Sequence, residues 1–160
     1  MKMCLSEGMK RIKELEKRKE ALLFNETRRM CVSYREGETP AAADYDYAAT
    51  RAAVSKIDDE VRAIRTAISR ANCTAEAEEG CTIGEALVLV AQLNARAERL
   101  NMLASREKLM RRITQTGVLE YTECSYDPEQ AAKDAEKINS RIYRLQLAID
   151  RANLNTYIEV

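Results

Sequence analysis

No histidine occurs anywhere in the 160 residues. That absence removes Ser-His-Asp and Cys-His catalysis, the usual zinc sites and the Glu-x-x-His di-iron bundles. Five glycines and two prolines are too few for a turn-rich sheet protein. Long apolar runs are missing as well. The longest unbroken one is Ala86 to Ala91, far short of a membrane span. The N-terminal stretch MKMCLSEGMKR holds no apolar signal core, so a cytoplasmic location without a membrane partner is expected. Nor does either sign of charge prevail. With 26 basic and 26 acidic residues, no global field draws in nucleic acid or anionic lipid.

What is present points to long helices packed as one domain. Charged residues make up 32% and hydrophobic ones 46%, enough apolar side chain for one core. The five cysteines are an odd number, and in a cytoplasmic protein they read as reduced, small apolar side chains.

The chain repeats itself. AISRAN at 67–72 returns as AIDRAN at 148–153, and the 28 residues ending at each asparagine share nine identities at an offset of 81. Positions 50, 54, 57, 61, 64, 68 and 71 and their partners 131, 135, 138, 142, 145, 149 and 152 are nearly all apolar. They step by alternating fours and threes, as the inner seam of antiparallel coiled helices does. Fainter, LSEGMKRIKEL at 5–15 aligns with IGEALVLVAQL at 83–93, with Glu7 on Glu85 and Leu15 on Leu93. The expected fold is therefore all-α: an antiparallel four-helix bundle made of two duplicated helical hairpins about a pseudo-two-fold. Hairpin 1 covers 4–72, a connection 73–82, hairpin 2 83–154, and a tail 155–160, all in a single domain 1–160.

End signals set helices at 4–31, 45–72, 83–113 and 128–154. Asp127 precedes Pro128 and reads as an N-cap, and Thr82 with Glu85 forms a capping box. Asn72 and Asn153 follow the last apolar position of their helices, where asparagine tolerates a left-handed C-cap. Charge alternates along the chain. Residues 1–36 carry net +4, 37–86 net −5, 87–119 net +4 and 120–160 net −3. Each hairpin thus sets a basic helix against an acidic one, which favours the correct neighbours over other packings. Of the two long loops, MCVSYREG at 30–37 and GVLEYTEC at 117–124 have strand-forming residues beside glycine. They are expected to pair with each other as a short ribbon at one end.

The chemistry-bearing residues each have a plain alternative. Cys4, Cys73 and Cys81 are expected at one bundle end, but their spacing lacks the short chelating pairs of zinc motifs. Cys31 and Cys124 flank the expected ribbon, and a cytoplasmic setting keeps them reduced. Glu76, Glu79, Glu120 and Glu123 fall in connections, and Asp58-Asp59-Glu60 are adjacent, so no helical carboxylate pair stands ready for a metal. No catalytic residue, metal ligand or cofactor is assigned, and the reading leans away from an enzyme. Tyr34, Tyr45, Tyr47, Tyr121 and Tyr126 gather in the loops or helix starts, either plugging the open bundle end or offering a partner site. Basic groups on the first helix alternate with Glu14, Glu16 and Glu20, as on a solvated face. The run Leu87-Val88-Leu89-Val90 is apolar on every side of its helix. One inner face cannot bury all of it, so these four residues are assigned to a homo-oligomer interface. The tail LNTYIEV is apolar enough to dock on a neighbour or fold back.

The stretch from Ile68 through Asn72 and Thr74 to EGCTIGEAL at 79–87, with the closing AIDRANLNTYIE at 148–159, resembles the septicolysin-like family of small bacterial proteins. That resemblance implies a compact helical bundle and no established activity. It departs at Val90-Ala91, where the family tends to have a charged pair. The leading expectation is a non-enzymatic, homo-oligomeric interaction or structural module. The alternative is a nucleic-acid- or nucleotide-binding bundle using the basic helices 1 and 3, with nucleic acid the less expected partner.

Overall fold

The structure, a computed structural model, describes residues 2–40 and 44–160. In chain order these form β1 (Lys2–Cys4), α1 (Leu5–Arg29), α2 (Tyr47–Thr74), β2 (Glu76–Glu78) and β3 (Cys81–Thr82). There follow α3 (Ile83–Ala104), β4 (Leu109–Ile113), β5 (Leu119–Glu123), α4 (Pro128–Asn155) and β6 (Tyr157–Glu159). The described residues are mostly helical, with three small antiparallel strand pairs: β1 with β6, β2 with β3, and β4 with β5. The chain divides into two compact units, one of residues 1–72 with 153–160 and one of residues 73–152.

In the first unit α1 and α2 bury Leu5, Ile12, Leu15, Ile57 and Ile64. Every seam position from 50 to 71 is buried or half-buried, because the four-three spacing keeps those residues on one stripe of α2. Four ion pairs cross between the helices: Arg11 with Glu60, Lys19 with Asp58, Arg65 with Glu16, and Arg51 with Glu26. The tail folds back. β6 pairs with β1 in the register Lys2 to Glu159, and the Leu5 N–H donates to the Thr156 carbonyl at 3.0 Å. Ile158 is thereby buried. Gly8 makes room for it: a Cβ there would lie 3.3 Å from the Ile158 Cδ1.

In the second unit α3 and α4 bury Ile83, Ala86, Leu93, Ala97, Ala131, Ala135, Ile142, Leu145 and Ile149. The β2–β3 pair is fastened at the start of α3, where the Ile83 N–H donates to the Ala75 carbonyl at 2.9 Å. Arg141 on α4 clamps Glu78 of β2 through both carboxylate oxygens, one of them at 3.0 Å. No ion pair joins α3 to α4 among the described residues.

Three expectations need correction. The third helix stops at Ala104 rather than at residue 113, and Leu109–Ile113 is a strand. The ribbon that includes Leu119–Glu123 pairs with this strand and not with 30–37, which forms none. Its turn explains the choice. The Gly117 N–H donates to the Thr114 carbonyl and the Thr114 N–H to that of Val118, while Gly117 takes φ 79°. That is a three-residue hairpin loop with glycine in its left-handed position. Residues 35–38 also turn, with Gly37 at φ 84°, but Pro40 then withholds the N–H that a returning strand would donate.

The third correction concerns Asn72 and Asn153, which lie inside α2 and α4. No described residue other than glycine has a positive φ, so neither is a left-handed cap. Both helices run two residues further, and a single residue, Ala75 or Thr156, then leads into β2 or β6.

Candidate functional site

Helix α3 begins at a complete capping box. Thr82 Oγ1 accepts from the Glu85 N–H at 3.2 Å, and the Glu85 carboxylate accepts from the Thr82 N–H and hydroxyl, each at 2.8 Å. These two bonds from Thr82, the backbone one the stronger, hold the Glu85 carboxyl below the ordinary carboxylate range. With the start of the helix fixed, its faces follow. Ile83, Ala86, Val90, Leu93, Ala97, Leu100 and Ala104 are all buried or half-buried and step by threes and fours, the inward seam.

The four residues assigned to an interface separate into two pairs. Leu87 and Val88 stand 47% and 59% exposed, whereas Leu89 and Val90 are half-buried. Val88 and Leu89 line an open groove of about 490 Å³ with Cys73, Gly84, Glu85 and Gln92. A second stripe runs along the outer side of α3 through Gly84, Val88, Ala91, Ala95, Glu98 and Met102. Beyond Gly84 every one of these is exposed. The same stripe of α1, 78 residues earlier, reads Ser6, Lys10, Lys13, Lys17, Glu20 and Phe24. Helix α1 has the ordinary charged back of an amphipathic helix, and α3 does not.

The tyrosines serve different ends. Tyr45 donates its hydroxyl to the Glu26 carboxylate, which also holds Arg51. The Glu26 bond, then burial, pushes the Tyr45 phenol up. Tyr126 donates to the Leu103 carbonyl at 2.9 Å, and burial pushes its phenol up. These two pin the start of one helix to the end of the one before it. Tyr34, Tyr47 and Tyr121 are exposed, Tyr47 with the Arg51 guanidinium 5.8 Å over its ring. Asp127 caps α4 by accepting from the Glu129 N–H at 3.0 Å.

All five cysteines are unlinked, and no group of three metal-binding side chains occurs among the described residues. Burial, followed by the charges of Glu85 and Glu78, pushes the Cys81 thiol up, away from the thiolate that a nucleophile or metal ligand needs. Four of the seven candidate carboxylates are held by bases: Asp58 by Lys19, Asp59 by Arg62, Glu60 by Arg11 and Glu120 by Arg112.

Residues 8–158 match the family of unknown function DUF6847. The chain belongs to that family. A solved structure has the same fold: a functionally unknown conserved protein from Corynebacterium diphtheriae, at TM-score 0.70 and 20% identity, covering 99% of this chain and 100% of that one. No curated protein matches the chain. Neither finding supports the septicolysin-like resemblance. The phrases behind it are capping and core positions, which many helical hairpins require. What stands for this DUF6847 member is a mostly helical chain of unestablished function in which no described helix is long and apolar enough to cross a membrane.

Sequence reasoning missed the Arg141–Glu78 clamp and the two short strand pairs at the helix junctions. A signal was present for one pair: Gly80 lies between the runs AEAE and CTI and takes φ 71° at the β2–β3 turn. Nothing local marked β1 and β6, whose residues are 155 positions apart at the Met3–Ile158 pairing.

Proposed function

We propose that the protein is a non-enzymatic, cytoplasmic interaction module that associates with copies of itself through the outer side of α3. The single observation carrying this is that Leu87 and Val88 stand in water on a helix whose inward seam is already filled. Removing such area from water contributes about 25 cal/mol per Å² of apolar surface. An antiparallel α3 pair about a two-fold sets Ala91 against Ala95 of the second copy, and these small residues let the backbones approach closely. Among the described residues Arg96, Arg99 and Glu98 form no ion pair, and they would bring both signs of charge to that contact.

The framework is read as two duplicated hairpins forming a four-helix bundle. Support for this comes from matching bonds at matching offsets. Leu5 to Thr156 and Ile83 to Ala75 are the same bond displaced by 78 and 81 residues, and Tyr45 and Tyr126, 81 apart, each tie a helix start to the end of the helix before, through the Glu26 carboxylate and the Leu103 carbonyl respectively. The nucleic-acid alternative has weaker support, since Arg11 and Lys19 of α1 are already engaged by acids of α2.

Light scattering on the wild type and on Val88→Glu tests the reading. The substitution is expected to lower the particle mass without loss of helix content. A wild type of 18.1 kDa at high concentration defeats the proposal.

A further inference from the structure

The β4–β5 ribbon has a feature that none of the other strand pairs shares: all ten of its residues are exposed. Its pairing register runs from Leu109 with Glu123 to Ile113 with Leu119. The ladder is bonded at both ends, by Thr114 N–H to the Val118 carbonyl and by Cys124 N–H to the Lys108 carbonyl. Bonded and unbonded pairs alternate in an antiparallel ladder. Arg112 with Glu120 and Met110 with Thr122 are therefore the bonded pairs between those ends. It follows that the backbone groups of Leu109, Arg111 and Ile113 point off one edge, and those of Leu119, Tyr121 and Glu123 off the other. The side chains of these same six residues share one face, and four of them (Leu109, Ile113, Leu119 and Tyr121) are large, apolar and exposed. A two-stranded ribbon with an uncovered apolar face and two open edges is marginal in water and a template for another strand.

Charge decides which edge can meet its own copy. If two β4 edges pair antiparallel over all three open residues, Arg111 falls directly opposite Arg111 of the second copy, with Arg112 on either side. Like charges directly opposite destabilise a strand pair. If two β5 edges pair the same way, Tyr121 falls opposite Tyr121, and Leu119 opposite Glu123. Glu120 comes opposite Thr122 and is already neutralised by Arg112. No like charges fall directly opposite each other, and an aromatic cross-strand pair sits at the centre.

We propose that β5 pairs with β5 of a second copy about a two-fold through Tyr121, giving a four-stranded sheet in the order β4, β5, β5, β4. The two apolar faces then become one continuous face. The contact is isologous and closes on itself, so it yields pairs and not fibres. It lies apart from the α3 surface and does not depend on it.

Two measurements test it. Residue-resolved hydrogen exchange is expected to show the amides of Leu119, Tyr121 and Glu123 protected, and increasingly so with concentration. In a lone ribbon these three are free while those of Glu120 and Thr122 are held by β4. Exchange of the three at unprotected rates at every concentration overturns the proposal. The second measurement is mass by sedimentation for Val88→Glu, Tyr121→Pro and the double variant. Proline at Tyr121 removes an N–H that the β4–β5 ladder does not use, a position where an edge tolerates it. Val88→Glu is expected to remain a dimer of twice 18.1 kDa, and the double variant to be monomeric. A monomeric Val88→Glu overturns the ribbon contact, as does a Val88→Glu mass that keeps growing with concentration. If instead Val88→Glu matches the wild type and Tyr121→Pro alone is monomeric, the α3 reading fails and the ribbon contact stands.

Discussion

Glu85 shows how much one side chain can settle. It closes the capping box with Thr82, and its carboxylate takes two hydrogen bonds from that residue. Its folded pKa is depressed by those bonds, so the stabilisation is complete above the unfolded value and is lost as pH falls through the folded one. The first turn of α3 should therefore lose protection in the acid range while the middle of the helix keeps it. Protection factors for the amides of Glu85 and Ala86, set against Leu93 and measured from neutral pH down to about 3, a span that brackets ordinary carboxylate titration, check this. Glu85→Gln, which retains the hydrogen bonds without the charge, should flatten the dependence. An equal acid response from Leu93 would show that the cap is not the cause.

At the scale of elements the two hairpins differ in what holds their helices side by side. Four cross-helix ion pairs join α1 to α2. At the positions 78 and 81 residues later, Glu16 and Arg65 become Asn94 and Gln146, Lys19 and Asp58 become Ala97 and Asn139, and Glu26 and Arg51 become Ala104 and Ala132. Exposed pairs are individually weak and screened by salt. Raising salt from 0.1 to about 1 M shortens the screening length from about 10 to 3 Å, so it should speed exchange in the α1–α2 hairpin and leave α3–α4 almost unchanged. Exchange that quickens equally in both would show the ladder to be ornamental.

Much at this scale was legible in the sequence. The seams announced the helices because helical period is a local property, and the capping box at Thr82 needed only four residues. The end of α3 was not legible. Leu109, Met110, Arg111 and Arg112 are all good helix formers, and what makes them a strand is a partner eight to fourteen residues away, past the turn at Gly117. The asparagines misled for a related reason. AN closes the repeated phrase, but the strand beginning four residues later decides where each helix stops. The candidate surface on α3 was half legible: an all-apolar run exceeds one inward face, yet only the rotation of the helix shows that Leu87 and Val88, and not Leu89 and Val90, are the ones left in water.

For the molecule as a whole, the strand pairs carry the strongest sign of duplication. In one pair β2 is followed at once by β3, and in the other β6 lies beside β1, with Lys2 opposite Glu159. If the halves are copies, the two junctions are interchangeable, and the place where the chain is cut is an accident. A circular permutant should then fold. It would join residue 160 to residue 1 through a short glycine linker and open between Glu79 and Gly80, turning β6–β1 into a hairpin and β2–β3 into a pair of chain ends. Cutting and joining at such exposed turns is what compact folds tolerate best. The permutant is expected to keep the wild-type helix content and to melt cooperatively within about 10 °C of it, a shift worth roughly 2.5–5 kcal/mol for a chain of this size. A permutant opened inside α2, between Ile57 and Asp58, interrupts a buried seam and should not fold. If the first variant fails as completely as the second, the two junctions are not equivalent, and the duplicated-bundle reading falls.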